Sequence, residues 1–411
     1  MEPVIYFRDQ HTLRNEDIDP DALYVIRTLQ SNGYQAFLVG GSIRDLLMGL
    51  KPKDYDVSTS AKPEEIRRIF PSCLLIGRRF RLAHVRFKNK VIEVSTFRSG
   101  DTQEDSLITR DNTWGTPEQD ALRRDFRING LFFDPSNSSI IDYVGGFHDI
   151  QSRTLQSIGE PYVRFRQDPV RMIRLLKFQA RFNLLVDETT KIALLENRHE
   201  ILKSSQARVF EELLRMLESG ASYPFFELMV EAGILEHLLP VISTFLEHEA
   251  GAVIFAFLKE IDHLIRTHPS LTIERSILLA CLFYPLADAS LHKIMSENNG
   301  KIHLGMIQTE IIHIVDHAFS PFFIVPRKLK TTVVSILTTQ FRFTPINGST
   351  PKVSKLPFVE DLLLSMKFFN LRTRIFPNLK AIWQEWKKVL DTIPHEPKRT
   401  SKPRRRRYKK R

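Results

Sequence analysis

The chain has 411 residues, enough for two or three domains that each bury a core. No apolar run approaches the ~18 residues that span a bilayer, and two cysteines, Cys73 and Cys281, are too few for a disulfide framework or a four-cysteine zinc site. The net charge of +11 is concentrated: residues 398–411 hold ten basic side chains and no acidic one, which leaves 49 basic against 48 acidic groups elsewhere. That tail is too repulsive and too poor in apolar residues to fold alone, and it suits an electrostatic grip on a polyanion such as RNA.

Residues 1–20 show little periodicity. Leu23, Ile26 and Leu29 then predict a helix over 21–32, ended by Gly33. Phe37 to Val39 read as a buried strand, and a helix over 42–48 is opened by Gly40 and Gly41. Such a strand–glycine–helix turn lets backbone N–H groups approach a phosphate closely. Asp54 and Asp56 follow, two positions apart in an extended segment, so both carboxylates are expected on one face. Two hard oxygen ligands beside a phosphate cradle suit Mg²⁺, the usual ion of phosphoryl transfer.

A capped helix start follows at Ser60 to Ile66, then strands over 74–77, 83–87 and 91–96. Glu93 sits in the last of these among apolar neighbours, where a buried carboxylate needs a partner. It is either paired with an arginine or a third acid beside Asp54 and Asp56. Beyond a polar loop, Arg123 and Arg124 can face phosphates and a ribose, and Asp125 can orient them or accept from a hydroxyl. A strand over 131–133 and a turn-rich junction over 142–149 close this part, with His148 read as a loop residue.

From Asp168 the chain turns to helix after helix. Asp168 and Pro169 predict an N-cap and first helical position, and Arg171, Arg174 and Arg181 share a face. Residues 220–390 read as amphipathic helices. The dense apolar run over 277–286 contains Pro285 and fits a buried helix. His313 and His317 lie one turn apart without an evident third ligand, so they are read as packing or surface residues.

Joined in order, GGxxRDxxxGxxxxDxD resembles the signature of the nucleotidyltransferase branch that holds bacterial poly(A) polymerases and class II tRNA CCA-adding enzymes. The resemblance implies an α+β fold. It comprises an N-terminal nucleotidyltransferase head over 1–150 with a mixed sheet and flanking helices, a helical neck over 151–219, a helical RNA-binding body over 220–390, and a disordered basic tail over 391–411. It implies that Asp54 and Asp56 bind two Mg²⁺ ions, that Glu93 completes the acidic cluster, and that Gly40, Gly41, Ser42 and Arg44 hold the triphosphate of ATP. Arg123, Arg124 and Asp125 would set the ribose and phosphates, and Asp168 and Arg171 would face the base, with Arg208 a weaker nucleotide contact.

Three positions depart from the family pattern: Arg127 for Thr, Gly130 for Ala or Ser, and Gln167 for Glu. A neutral amide at 167 keeps an acceptor but lacks the charge that would hold an arginine. Residues 51–56, 77–85, 110–115, 283–286 and 325–329, with the basic tail, look more like the poly(A) polymerases than the CCA-adding enzymes. The expected activity is therefore transfer of AMP from ATP to RNA 3′ ends. CCA or A addition to tRNA, and a catalytically silent RNA-binding adaptor, are the alternatives. The expected setting is the cytoplasm, with no membrane and with RNA-decay proteins as candidate partners.

Overall fold

A computed structural model of the chain describes residues 2–77, 82–100, 113–346 and 359–391. Residues 78–81 and 110–112 of the family-like stretches, and the basic tail beyond Asp391, lie outside the described residues.

The order of elements begins with β1 (Val4–Tyr6), α1 (Pro20–Ser31), β2 (Ala36–Val39), α2 (Gly41–Leu47), β3 (Asp56–Thr59), α3 (Pro63–Ile69), β4 (Cys73–Ile76), β5 (Leu82–Arg86) and β6 (Val91–Thr96). Next come the two-residue strands β7 (Arg98–Ser99) and β8 (Thr113–Trp114), then α4 (Pro117–Leu122), β9 (Leu131–Asp134), β10 (Ser139–Asp142) and α5 (Gly146–Ser152). Eight of these strands form one mixed sheet in the order β1-β10-β9-β2-β3-β6-β5-β4, with β3 and β6 parallel and the other pairs antiparallel.

Local chemistry fixes the boundaries. Asp19 caps α1 by accepting from the Asp21 N–H at 2.9 Å, Pro20 takes the first helical position, and Ala22, Val25, Ile26 and Leu29 form the buried stripe. Thr116 and Gln119 form a reciprocal capping box on α4. Asp142, at the end of β10, accepts the backbone N–H groups of Val144, Gly145, Gly146 and Phe147 and so starts α5. Under the sheet, Phe37, Val39, Phe97, Ala121 and Phe132 form one cluster. Burying each such ring is worth roughly 1.5–3 kcal/mol, which commits β2, β9 and α4 to one layer.

The helical part continues with a two-residue strand, β11 (Thr154–Leu155), then α6 (Pro161–Gln167), α7 (Val170–Phe182), a second short strand β12 (Leu185–Val186), α8 (Glu188–Asn197) and α9 (Gln206–Leu217). Contacts divide the chain into two compact units. The first comprises Met1–Glu249, Ile261–Thr272 and His317–Val325, and so takes in the head, the neck and the first helices of the body. The second comprises Ala250–Glu260, Ile273–Asp316 and Pro326–Arg411.

In the second unit the run containing Pro285 forms one continuous helix, Arg275–Glu297. Proline removes the N–H that would bond the Cys281 carbonyl, but residues 276–287 are buried and packing holds the helix together. By length and composition this helix could cross a membrane; its apolar side chains are instead buried within the unit. Phe343, Leu362, Met366, Phe369 and Trp386 form a further core cluster there.

Candidate active site

The site lies wholly within the first unit. The register Val39↔Asp56↔Glu93 places the end of β2, the start of β3 and the middle of β6 side by side. Gly40, at φ 71°, turns the chain from β2 into α2. A Cβ on Gly40 would stand 3.3 Å from an Arg124 nitrogen, and one on Gly41 would stand 3.2 Å from an Arg44 nitrogen. The positive φ favours glycine at 40, and at both positions a side chain would crowd an arginine that approaches the turn.

Asp56 opens β3 and Asp54 precedes it. Both residues are solvent-accessible, as is Glu93, the cross-strand neighbour of Asp56. Accessibility and crowding point in opposite directions at Asp56. Burial by surrounding protein atoms, then the charges of Glu93 and Asp54, lift its pKa to about 6, against the pull of Arg124. The neighbouring charges act in that direction whatever the degree of burial. Glu93 is not the buried group its apolar strand suggested, because alternate residues of β6 face solvent; it pairs with His84 at 3.3 Å, not with an arginine.

Among the described residues no three His, Cys, Asp or Glu side chains are arranged to hold a metal ion. The donor set still fits Mg²⁺, which binds through one or two carboxylates plus water and substrate phosphates and needs no all-protein cage. A carboxylate whose proton affinity is raised by neighbouring acids, as that of Asp56 is, is also what a divalent cation relieves.

Facing Asp56 is a wall of cations. A cleft of about 410 Å³ is lined by Gly40, Gly41, Arg44, Asp56 and Arg124 from the head, and by Asp168, Arg171, Arg174, Lys177, Arg181 and Arg208 from the neck. One face of α7 is apolar and buried through Val170, Met172, Ile173, Leu175 and Leu176. The other carries the basic stripe into the cleft, and each cation has a defined partner. Arg174 donates to Asp125 at 2.7 Å and lies 3.5 Å from Glu212; Lys177 pairs with Glu212; Arg181 reaches Asp45 at 3.4 Å. Asp125 raises the pKa of Arg174, while burial lowers those of Arg171 and Lys177.

Several expected ligand contacts turn out to be engaged with protein. Ser42 is buried and its hydroxyl donates to the Val39 carbonyl at 3.1 Å. Arg44 lines the cleft, yet it donates to Asp45 at 2.9 and 2.6 Å and to Asn129 at 2.6 Å, with its guanidinium 4.5 Å from the Phe182 ring centre. Asp125 accepts from Arg174, Asn129 and its neighbour's N–H. Burial alone would raise its pKa, but Arg174, Asn129 and Arg171 together hold it well below the usual carboxylate range. Its oxygens are thus occupied by protein donors, although Asp125 itself lines the cleft.

Asp168 does not cap α7. Pro169 takes the cap position, and the Asp168 carboxylate binds Arg208 through both oxygens, at 3.0 and 2.9 Å. Arg171 donates to the carbonyls of Arg123 and Arg124, at 2.8 and 3.0 Å. Gln167 is buried and accepts from Arg164 at 3.2 Å.

One residue that anchors the site escaped the sequence reading. Asp120 is fully buried, with one oxygen on Arg123 (2.8 Å from Nε) and the other on Arg124 (2.8 Å). The arginines outweigh its burial and lower its pKa. Its spacing of three and four residues from them was the available signal. Asn129, the last residue of the family-like RRDFxxN stretch over 123–129, joins Arg44, Asp125 and, by its carbonyl, Arg124 at 3.2 Å.

A mixed-sheet head with an acidic edge, facing a basic helical neck, suits an enzyme that handles a nucleoside triphosphate. Residues 36–156 match the family described as "Poly A polymerase head domain", and residues 183–246 match "Probable RNA and SrmB- binding site of polymerase A". Poly(A) polymerase I of Salmonella typhimurium is 33% identical over 95% of this chain and 86% of its own length, and that of Escherichia coli O157:H7 is 33% identical over 97% and 91%. A CCA-adding enzyme of Bacillus licheniformis is 34% identical over 54% of this chain and 56% of its own length. In fold, the chain resembles the Bacillus stearothermophilus CCA-adding enzyme solved with CTP, at a TM-score of 0.64 and 23% identity over 91% of this chain and 82% of that one. The chain belongs to the poly(A) polymerase and tRNA nucleotidyltransferase family, and it is an RNA nucleotidyltransferase.

Proposed function

We propose that the chain is a polynucleotide adenylyltransferase that extends RNA 3′ ends with AMP from ATP, without a nucleic-acid template. The observation that carries this reading is the placing of Asp56 in one cleft with Arg171, Arg174, Lys177 and Arg181. A carboxylate edge for cations and a basic wall for a triphosphate meet there at the scale of a nucleotide. Likeness to poly(A) polymerase I along 95% of the chain, against 54% for the CCA-adding enzyme, favours AMP tailing.

The 3′-oxygen of RNA bonds to the α-phosphorus of ATP as the bond to the β-phosphate oxygen breaks; pyrophosphate leaves and the hydroxyl proton passes to solvent. Asp54 and Asp56 would hold two Mg²⁺ ions, which when bound lower the pKa of the 3′-hydroxyl and offset charge on the leaving pyrophosphate. The chain's own residues do the rest. Gly40 and Gly41 let the phosphates approach the turn, and the basic face of α7 attracts them. Arg124, anchored by Asp120, holds position beside Asp56. Asp168 and Arg171 line the cleft, and the family resemblance supports their facing the base. The carboxylate of Glu93 keeps the acidic edge negative. Cytoplasmic tailing that marks RNA for decay, with RNA-decay proteins as partners, belongs to the same proposal and rests on the family resemblance.

The 34% identity to a CCA-adding enzyme over the head and neck supports a second reading, CCA or A addition to tRNA. Primer extension with ATP and CTP offered separately, on unstructured RNA and on tRNA lacking its CCA end, tests both. A long ladder with ATP alone on plain RNA is expected. Stepwise addition that stops on tRNA would move the assignment to the second reading.

A further inference from the structure

Arg164 stands outside the cleft lining and is 5% exposed, on α6 one turn before Gln167. Its guanidinium donates to the carbonyl of Leu122 at 2.6 Å, to that of Ile158 at 3.1 Å and to the side-chain oxygen of Gln167 at 3.2 Å. All three acceptors are neutral. Burial and the nearby Arg171 push its pKa down to about 10, so it remains a cation at neutral pH. Gly159, at φ 76°, makes room for it: a Cβ there would stand 3.1 Å from Nε.

The Leu122 carbonyl is the first of three in sequence that receive a neck arginine. Arg164 takes Leu122, and Arg171 takes Arg123 and Arg124. These carbonyls lie at the C-terminal end of α4, where acceptors lack helical donors and the helix dipole favours cations. The segment so held carries Arg123 and Arg124, and the other end of the Arg164 contact is the residue just before Asp168.

We propose that Arg164, partnered by Gln167, is a positioning residue of the nucleotide site that locks the cleft-lining Asp168 and Arg171 in register with Arg123 and Arg124. The amide at 167 makes this lock looser than a carboxylate would, because a charge-assisted bond to an arginine is about twice as strong as a neutral one. Nucleotide preference is set through this contact, although neither side chain lines the cleft. The inference rests on the nucleotidyltransferase reading of the site.

The test measures dissociation constants of ATP and CTP, and separately kcat and KM for primer extension, in the full chain and in Arg164→Gln and Gln167→Glu. Misplacement of the arginines predicts ~10-fold weaker ATP binding in Arg164→Gln. A tighter lock predicts that Gln167→Glu raises Tm and widens the ATP-to-CTP binding ratio by roughly threefold or more. Gln167→Glu that raises Tm and leaves this ratio unchanged, or Arg164→Gln that lowers kcat alone with ATP binding unaltered, would reduce the pair to a packing role and overturn the proposal. A wild-type chain that binds ATP but extends no primer would overturn the transfer reading, while the binding ratios would still decide the lock. A chain that binds neither nucleotide would overturn both.

Discussion

Arg208 grips both carboxylate oxygens of Asp168, at 3.0 and 2.9 Å, across 40 residues of sequence. The pair is accessible, with Arg208 more than half exposed, so its contribution to stability is small, about 0–1 kcal/mol. Its consequence is orientation. Arg208→Ala should leave Tm almost unchanged and raise KM for ATP by ~3–10-fold, as Asp168 loses the group that aims it. Steady-state kinetics beside a thermal melt checks this; a large fall in Tm with unaltered KM would contradict it.

Asp120 is the buried anchor of two site arginines. Asp120→Asn keeps the shape and removes the charge that both cations share, which should cost ~3 kcal/mol by chemical denaturation and depress activity with it. A loss below ~1 kcal/mol would mean that the arginines find other partners.

Much of this arrangement was legible in the sequence. The glycine turn after β2 follows from Gly40 and Gly41 and the basic face of α7 from its helical spacing, while the proximity of Glu93 to Asp56 was legible only through the family resemblance; the structure shows all three. The destinations of long side chains were not legible. Asp168 looked like an N-cap and instead reaches Arg208; Ser42 looked like a phosphate ligand and instead turns inward; Arg171 looked directed at a base and bonds carbonyls about 48 residues away in sequence. Arginine and aspartate have several partners within reach once the chain folds, and tertiary proximity chooses among them. The run around Pro285 was legible as a buried helix, because its unbroken apolar character outweighed a local helix breaker.

Asp149 gives a pH signature apart from the site. It is buried on α5, one carboxylate oxygen lacks any hydrogen-bond partner, and burial raises its pKa to about 6. The folded state therefore binds this proton more tightly than the unfolded chain. Stability falls as pH rises from about 4 to about 6, and the cost is complete above that range, at roughly 2–3 kcal/mol. Asp149→Asn should raise Tm at pH 7.5 and leave it nearly unchanged at pH 4; an equal shift at both would contradict the assignment.

The ten basic residues in 398–411 are nearly the whole of the net charge. If they neutralise RNA phosphates, deleting 398–411 should weaken RNA binding and flatten the slope of log K against log salt, by about 0.7 for each lost contact. An unchanged slope would remove the tail from the RNA interface.

On the proposed mechanism, carboxylates at the head of β3 carry nucleotidyl transfer. The most direct measurement is extension of an unstructured RNA primer with Mg²⁺ and ATP by the wild-type chain, Asp54→Asn and Asp56→Asn, with a thermal melt of each. The account predicts a long ladder from the wild type and at least a ~1,000-fold slower reaction from either variant at near-native Tm. Near-normal extension by Asp56→Asn would contradict it and place the chemistry elsewhere.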